Sequence, residues 1–146
     1  MMKIVLMICI ATIAGSVEWL HDIEAAKTIA EENHKYILLN FSGSDWCAPC
    51  IKMKQEVFAN DDFLTIAEKQ LVLLRADFPR AKKNQLSKDQ QKHNEALAER
   101  YNPTGKFPYT LLLDAEGKIL KEWDGYTFSS QDKFISQLSR ELKLEH

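Results

Sequence analysis

A run of almost wholly apolar residues, Tyr36 to Phe41, passes within a few positions into Asp45-Trp46-Cys47-Ala48-Pro49-Cys50, and this junction constrains the chain more than any other feature. A short, nearly continuous apolar run reads as a strand covered on both faces, as in a sheet with helices on either side. The segment after the cysteines has helical spacing: Met53 and Val57 share one face, and Lys52, Lys54, Gln55 and Glu56 supply the other. Two cysteines in C-x-x-C spacing therefore stand where a strand gives way to a helix. They are close enough to open and close a disulfide within one turn.

The chemistry depends on where the first sulfur sits. A helix that begins near Ala48 makes Cys47 its cap, facing unpaired backbone N–H groups and the positive end of the helix dipole, both of which favour thiolate over thiol. Cys50, about one turn later, then faces inward with less access to solvent, placed to resolve and not to attack. Pro49 suits a first helical turn, where a missing N–H costs little. Two other readings of C-x-x-C stay open at this point: half of a structural zinc site, and a pair of inert buried cysteines. A zinc site needs four ligands. The remaining cysteine is Cys9, and His21, His34, His93 and His146 form no paired ligand motif, so no metal is expected.

The rest of the chain alternates helix and strand signals. Trp19, Ile23, Ala26 and Ala30 recur at helical spacing behind Asp22 as cap, predicting an opening amphipathic helix. Asp61 or Asp62 starts a short helix through Lys69, and Leu71 to Leu74 begins a second buried strand ending at Asp77. Pro79 to Gln85 is polar and basic, and Ser87 with Gln90 forms a capping box for a helix to about Arg100. Arg80, Lys82, Lys83, Lys88 and Lys92 are either a dock for an acidic partner or a solvated face. Leu111 to Leu113, Asp114-Ala115-Glu116-Gly117 and Lys118 to Trp123 read as a hairpin with Trp123 in the core. Ile135, Leu138 and Leu142 give a last helix its buried face behind Ser129 or Ser130. Gly125 reads either as a close-approach site beside the dithiol or as a turn glycine.

At 146 residues the chain has the size of one domain with a sizeable core, and a net charge of −2 with pI near 6.1 gives no reason to expect nucleic acid as a partner. Met1-Met2-Lys3, the apolar run Ile4 to Ile13 and then Ala14-Gly15-Ser16 have the pattern of a signal peptide over residues 1–16. Residues 17–143 form the expected domain, and residues 144–146, Leu144-Glu145-His146, read as the stub of an expression tag. The expected location is periplasmic or otherwise extracytoplasmic, where disulfides persist. Removing residues 1–16 takes Cys9 away and leaves Cys47 and Cys50 as the whole thiol complement.

From Trp19 to Leu142 the chain resembles the thioredoxin superfamily, whose active-site sequence is Trp-Cys-Gly-Pro-Cys where this chain has Trp46-Cys47-Ala48-Pro49-Cys50. Within it, Phe41-Ser42-Gly43-Ser44-Asp45-Trp46-Cys47 is similar to small exported thioredoxin-like proteins. The resemblance implies an α/β thioredoxin fold, a central mixed sheet flanked by helices, here with an added N-terminal helix. It implies catalysis by Cys47 and Cys50, and substrate contact by Trp46, Ala48, Pro49, Phe107 and Pro108. Pro108 matches a proline, usually cis, that starts a strand beside the dithiol, and Phe107 is the residue that pairs with a bound substrate chain. The implied activity is protein-disulfide reduction through a mixed disulfide, with no cofactor beyond the redox-active cysteine pair. The implied partners are disulfide- or thiol-containing proteins and a membrane or soluble protein that recycles a monomeric enzyme. An oxidase or isomerase on the same fold, and a chaperone-like binding module, are the rival readings. Three departures stand out: Asn40 where thioredoxins carry a buried Asp, a longer segment between Asp77 and Tyr101, and extra length at Lys106 and Tyr109 around the proline.

Overall fold

The computed structural model describes residues 17–144, so the signal-peptide reading and the last two residues of the tag reading lie outside the described residues. Five strands form one mixed sheet: β1 (Trp19–Leu20), β2 (Tyr36–Ser42), β3 (Leu71–Asp77), β4 (Tyr109–Leu113) and β5 (Ile119–Asp124), in the order β1-β3-β2-β4-β5. β2 runs parallel to β3 and antiparallel to β4, and β1 is parallel to β3. The helices are α1 (Ile23–Asn33), α2 (Ala48–Glu56), α3 (Asp61–Gln70), α4 (Lys88–Tyr101) and α5 (Gln131–Leu144).

The apolar runs become central strands because both sheet faces are covered. Ile37, Leu39 and Phe41 pack with Ala26 and Ala30 of α1 and with Leu97 and Tyr101 of α4. Leu38, one residue out of phase, packs on the other face with Met53 of α2, Phe63 and Ala67 of α3, and Phe134, Leu138 and Leu142 of α5. Trp123 belongs to this second cluster, as its sequence position suggested.

Several expectations need correction at element ends. Trp19 is not in the first helix but in β1, because Asp22, whose carboxylate accepts from the Ala25 N–H, starts the helix only at Ile23. α3 starts at Asp61 as expected, and Asn60 before it is the cap, its side chain accepting from Asp62 N–H at 2.9 Å. Ser87 caps α4 as expected, but Gln90 donates to the His21 carbonyl and to Asn94 Oδ1 instead of reaching back, so only half of the capping box forms. Gly125 has φ of +78° with open space around its α-carbon, the geometry of a turn glycine.

Candidate active site

Cys47 occupies the N-cap of α2 with extended backbone (φ −95°, ψ 100°), and its sulfur accepts the Cys50 N–H at 3.3 Å. The two sulfurs are joined in a disulfide with Cα atoms 5.2 Å apart. Ala48 and Pro49 stand exposed between them in the first helical turn. In this oxidised state Cys47 and Cys50 are 5 % and 4 % exposed, so overall access does not separate them as expected. Their surroundings do: Cys47 meets a backbone donor at a helix start, whereas Cys50 borders a half-open cavity of about 540 Å³.

A rim of aromatic rings borders the disulfide. Trp46 donates its indole N–H to the Phe78 carbonyl at 2.7 Å and meets Phe107 edge-on with centroids 5.4 Å apart, while Phe78 meets Phe107 at 5.6 Å. The Phe107-Pro108 bond is cis, Pro108 is buried, and Tyr109 opens β4 directly after it. Trp46, Phe107 and the disulfide turn are thus brought together.

The part that Gly43, Asp45 and Asn102 play in holding this rim was not read from the sequence. A β-carbon on Gly43 would lie 2.3 Å from Trp46 Cε2, so only glycine lets the indole lie across the end of β2. Asp45 accepts from the N–H groups of Arg80 and Ala81 and from the Asn84 amide, tying the basic segment to the site. These donors, that of Arg80 foremost, hold the Asp45 carboxyl below the usual carboxylate range. Arg80 then stacks over Trp46 at 3.7 Å, leaving Lys82, Lys83, Lys88 and Lys92 as the solvated part of the cluster. Asn102, 3 % exposed, accepts from the Lys106 N–H and donates to the Lys106 carbonyl, closing the loop that delivers Phe107 and Pro108.

Asn40 is 2 % exposed and donates to Thr110 Oγ1, its cross-strand partner, at 3.0 Å. Its neighbour on β3 is Arg75, whose guanidinium lies 3.9 Å from the Trp19 ring centroid. Burial lowers the Arg75 pKa from its ordinary value, and the charge of Asp77 opposes that shift. Histidines do not converge: His93 Nε2 accepts from Ile23 N–H at the start of α1, and His34 is the left-handed C-cap of the same helix. Among the described residues no group of three or more His, Cys, Asp or Glu could hold a metal ion.

The family model described as a thioredoxin-like domain matches residues 23–140. The chain belongs to the thioredoxin-like domain family. Among curated proteins, the disulfide bond reductase DsbH of Chlamydia pneumoniae is 34 % identical over 131 residues, which is 90 % of this chain and 76 % of that protein. A solved structure of a DsbH oxidoreductase superposes with a TM-score of 0.74 at 32 % identity, covering 90 % of this chain and 88 % of the other. A thioredoxin from Thermus thermophilus shares the fold at 15 % identity, with a TM-score of 0.62 over 86 % of this chain and 87 % of its own. The thioredoxin-like chain is a DsbH-like thiol–disulfide oxidoreductase with a Cys47–Cys50 disulfide.

Proposed function

We propose that this oxidoreductase works reductively, outside the cytoplasm, on disulfides of other proteins. The Cys47 thiolate attacks one sulfur of a substrate disulfide; a Cys47–substrate bond forms, and the first substrate thiolate leaves. The Cys50 thiol then gives up its proton and attacks Cys47 Sγ, forming the Cys47–Cys50 disulfide and releasing the second substrate sulfur, so the substrate gains the two electrons the protein loses. Trp46, Ala48, Pro49, Phe107 and Pro108 form the surface against which the substrate chain lies. A membrane or soluble protein must return two electrons to a monomeric enzyme, and the cysteine pair is the whole redox group.

The observation that carries this reading is the Cys47 sulfur at the helix N-cap, accepting a backbone N–H. Direction is supported by the reductase named among the relatives and by Ala48-Pro49 between the cysteines, without the histidine of strongly oxidising members. Location is supported by the signal-peptide pattern over residues 1–16. Equilibration with a glutathione buffer tests the direction. The expected potential lies near the thioredoxin value of about −270 mV, and a value above about −180 mV, the isomerase range, would replace reduction with oxidation or isomerisation. Cys47→Ser should abolish turnover; if turnover persists, the assigned chemistry is wrong.

A further inference from the structure

Resolution of the mixed disulfide requires the Cys50 thiol to lose a proton, and at residue 40 of β2, where the resemblance to thioredoxins implies a buried Asp, this chain has an amide. Asn40 uses its Nδ2 as a donor to Thr110 and has no basic lone pair with which to take that proton. Cys50 borders the 540 Å³ cavity, which is half-open to solvent and large enough for several waters at about 30 Å³ each. The charged and titratable groups facing that space come from every element around it: His21 from the turn before α1, Lys54 from α2, and Arg75 and Asp77 from β3. Ser42 at the end of β2, Ser44 in the turn after it, and the cap Ser87 with Gln90 of α4 add neutral polar groups. Asp77 is the one carboxylate lining it among the described residues.

Asp77 is also held in a fixed orientation. Oδ1 accepts from the Ser44 and Phe78 N–H groups at 3.0 Å each, and Oδ2 accepts from Ser44 Oγ at 2.6 Å. A carboxylate oxygen has further lone pairs beyond these bonds, available to water in the cavity. From this geometry we infer that Asp77, acting through cavity water, receives the Cys50 proton during resolution, the task Asn40 is unable to perform. The proton passes from Cys50 Sγ to water and from water to Asp77; the Cys50 thiolate forms the bond to Cys47 Sγ, and the substrate thiolate leaves. Arg75 and Lys54 add positive charge around the cavity as that thiolate forms. The inference rests on the reductive reading for the direction of the step.

The test uses the reduced protein and an aromatic disulfide that liberates one coloured thiol on attack by Cys47 and a second on resolution by Cys50. Asp77→Asn keeps an acceptor for the two backbone N–H groups and removes the base. Resolution should slow by about tenfold or more, as expected for loss of a general base. Its rate in the variant should rise in proportion to hydroxide across the pH range in which the native protein levels off, with the first release unchanged. Ser44→Ala removes the hydroxyl donor to Oδ2, leaves both backbone bonds and makes the carboxylate more basic, so it should move the levelling-off of the resolution rate to higher pH, and it serves if Asp77→Asn does not fold. Unchanged resolution and pH profile in the folded variants would overturn the role of Asp77. So would a profile altered by His21→Ala and not by Asp77→Asn, which would assign the proton to the imidazole. Absence of the first release in the native protein would instead overturn the reductive reading, and this role with it.

Discussion

The two cysteines differ through the atoms nearest them. Cys47 Sγ already accepts an N–H in the disulfide, and the same donor is available to its thiolate, whereas Cys50 has its back to a cavity. In the reduced protein at about pH 6.5, below the ordinary cysteine pKa of roughly 8.5, iodoacetamide should modify Cys47 much faster than Cys50. Peptide mapping after short exposure reads the ratio, and equal rates would contradict the roles given to the two thiols. Asn40 supplies a second prediction. Asn40→Asp exchanges a donor for a carboxylate at a site 2 % exposed, beside a Thr110 hydroxyl that also reaches Met53 Sδ at 3.9 Å. Burial should raise the new carboxyl's pKa and lower stability by about 1–3 kcal/mol. The same group offers a base where the resemblance to thioredoxins implies a buried Asp, so resolution in single-turnover kinetics should speed up, and restoration of a rate lost in Asp77→Asn would be its clearest sign.

At the level of elements, the segment after β3 is fastened to the disulfide turn by one carboxylate. Asp45 holds Arg80, Ala81 and Asn84, and its pKa is lowered by those bonds. Its contribution is therefore complete above the unfolded-state pKa of about 3.9 and disappears as pH falls through the lower folded value. Amide exchange at Arg80 and Ala81 should lose protection in that acid window while the core strands keep theirs; Asp45→Ala should show the same loss at neutral pH. Protection that persists in Asp45→Ala would mean that other contacts hold the segment. These are the contacts that sequence reading did not reach. Cys47, Ser87 and Asp22 were legible as caps because a cap and its helix are local, and Tyr36 to Phe41 was legible because both its faces are buried. Trp19 fitted the spacing of α1 although it belongs to a strand of two residues, too short to show a period of its own. Asp45, Gly43 and Asn102 look like ordinary loop residues, and their purpose appears only once Arg80, Trp46 and Lys106 are beside them.

For the molecule as a whole, redox state and stability are linked. A low reduction potential means that folding favours the disulfide over the dithiol, the reverse of a strong oxidant, whose reduced form is stabilised. The oxidised protein should therefore melt above the reduced one, by roughly 5–10 °C for a difference of ~2 kcal/mol in a domain of this size. Calorimetry of both forms checks it, and a reduced form that melts higher would contradict the reductive reading. The ring that opens spans a sequence separation of only 3, so its reduction frees little chain and leaves the two faces of the sheet packed as before. The outer edge of β3 has a different consequence. β1 pairs only with Leu73 and Leu74, and Asp22 then turns the chain into α1 before it can pair with Arg75 or Ala76. Two more paired residues would extend main-chain hydrogen bonding along that edge and bring backbone where the cavity now opens. His21, where this edge strand ends, and Arg75 line the same cavity that Cys50 borders, so the length of one strand bears on how open that cavity is.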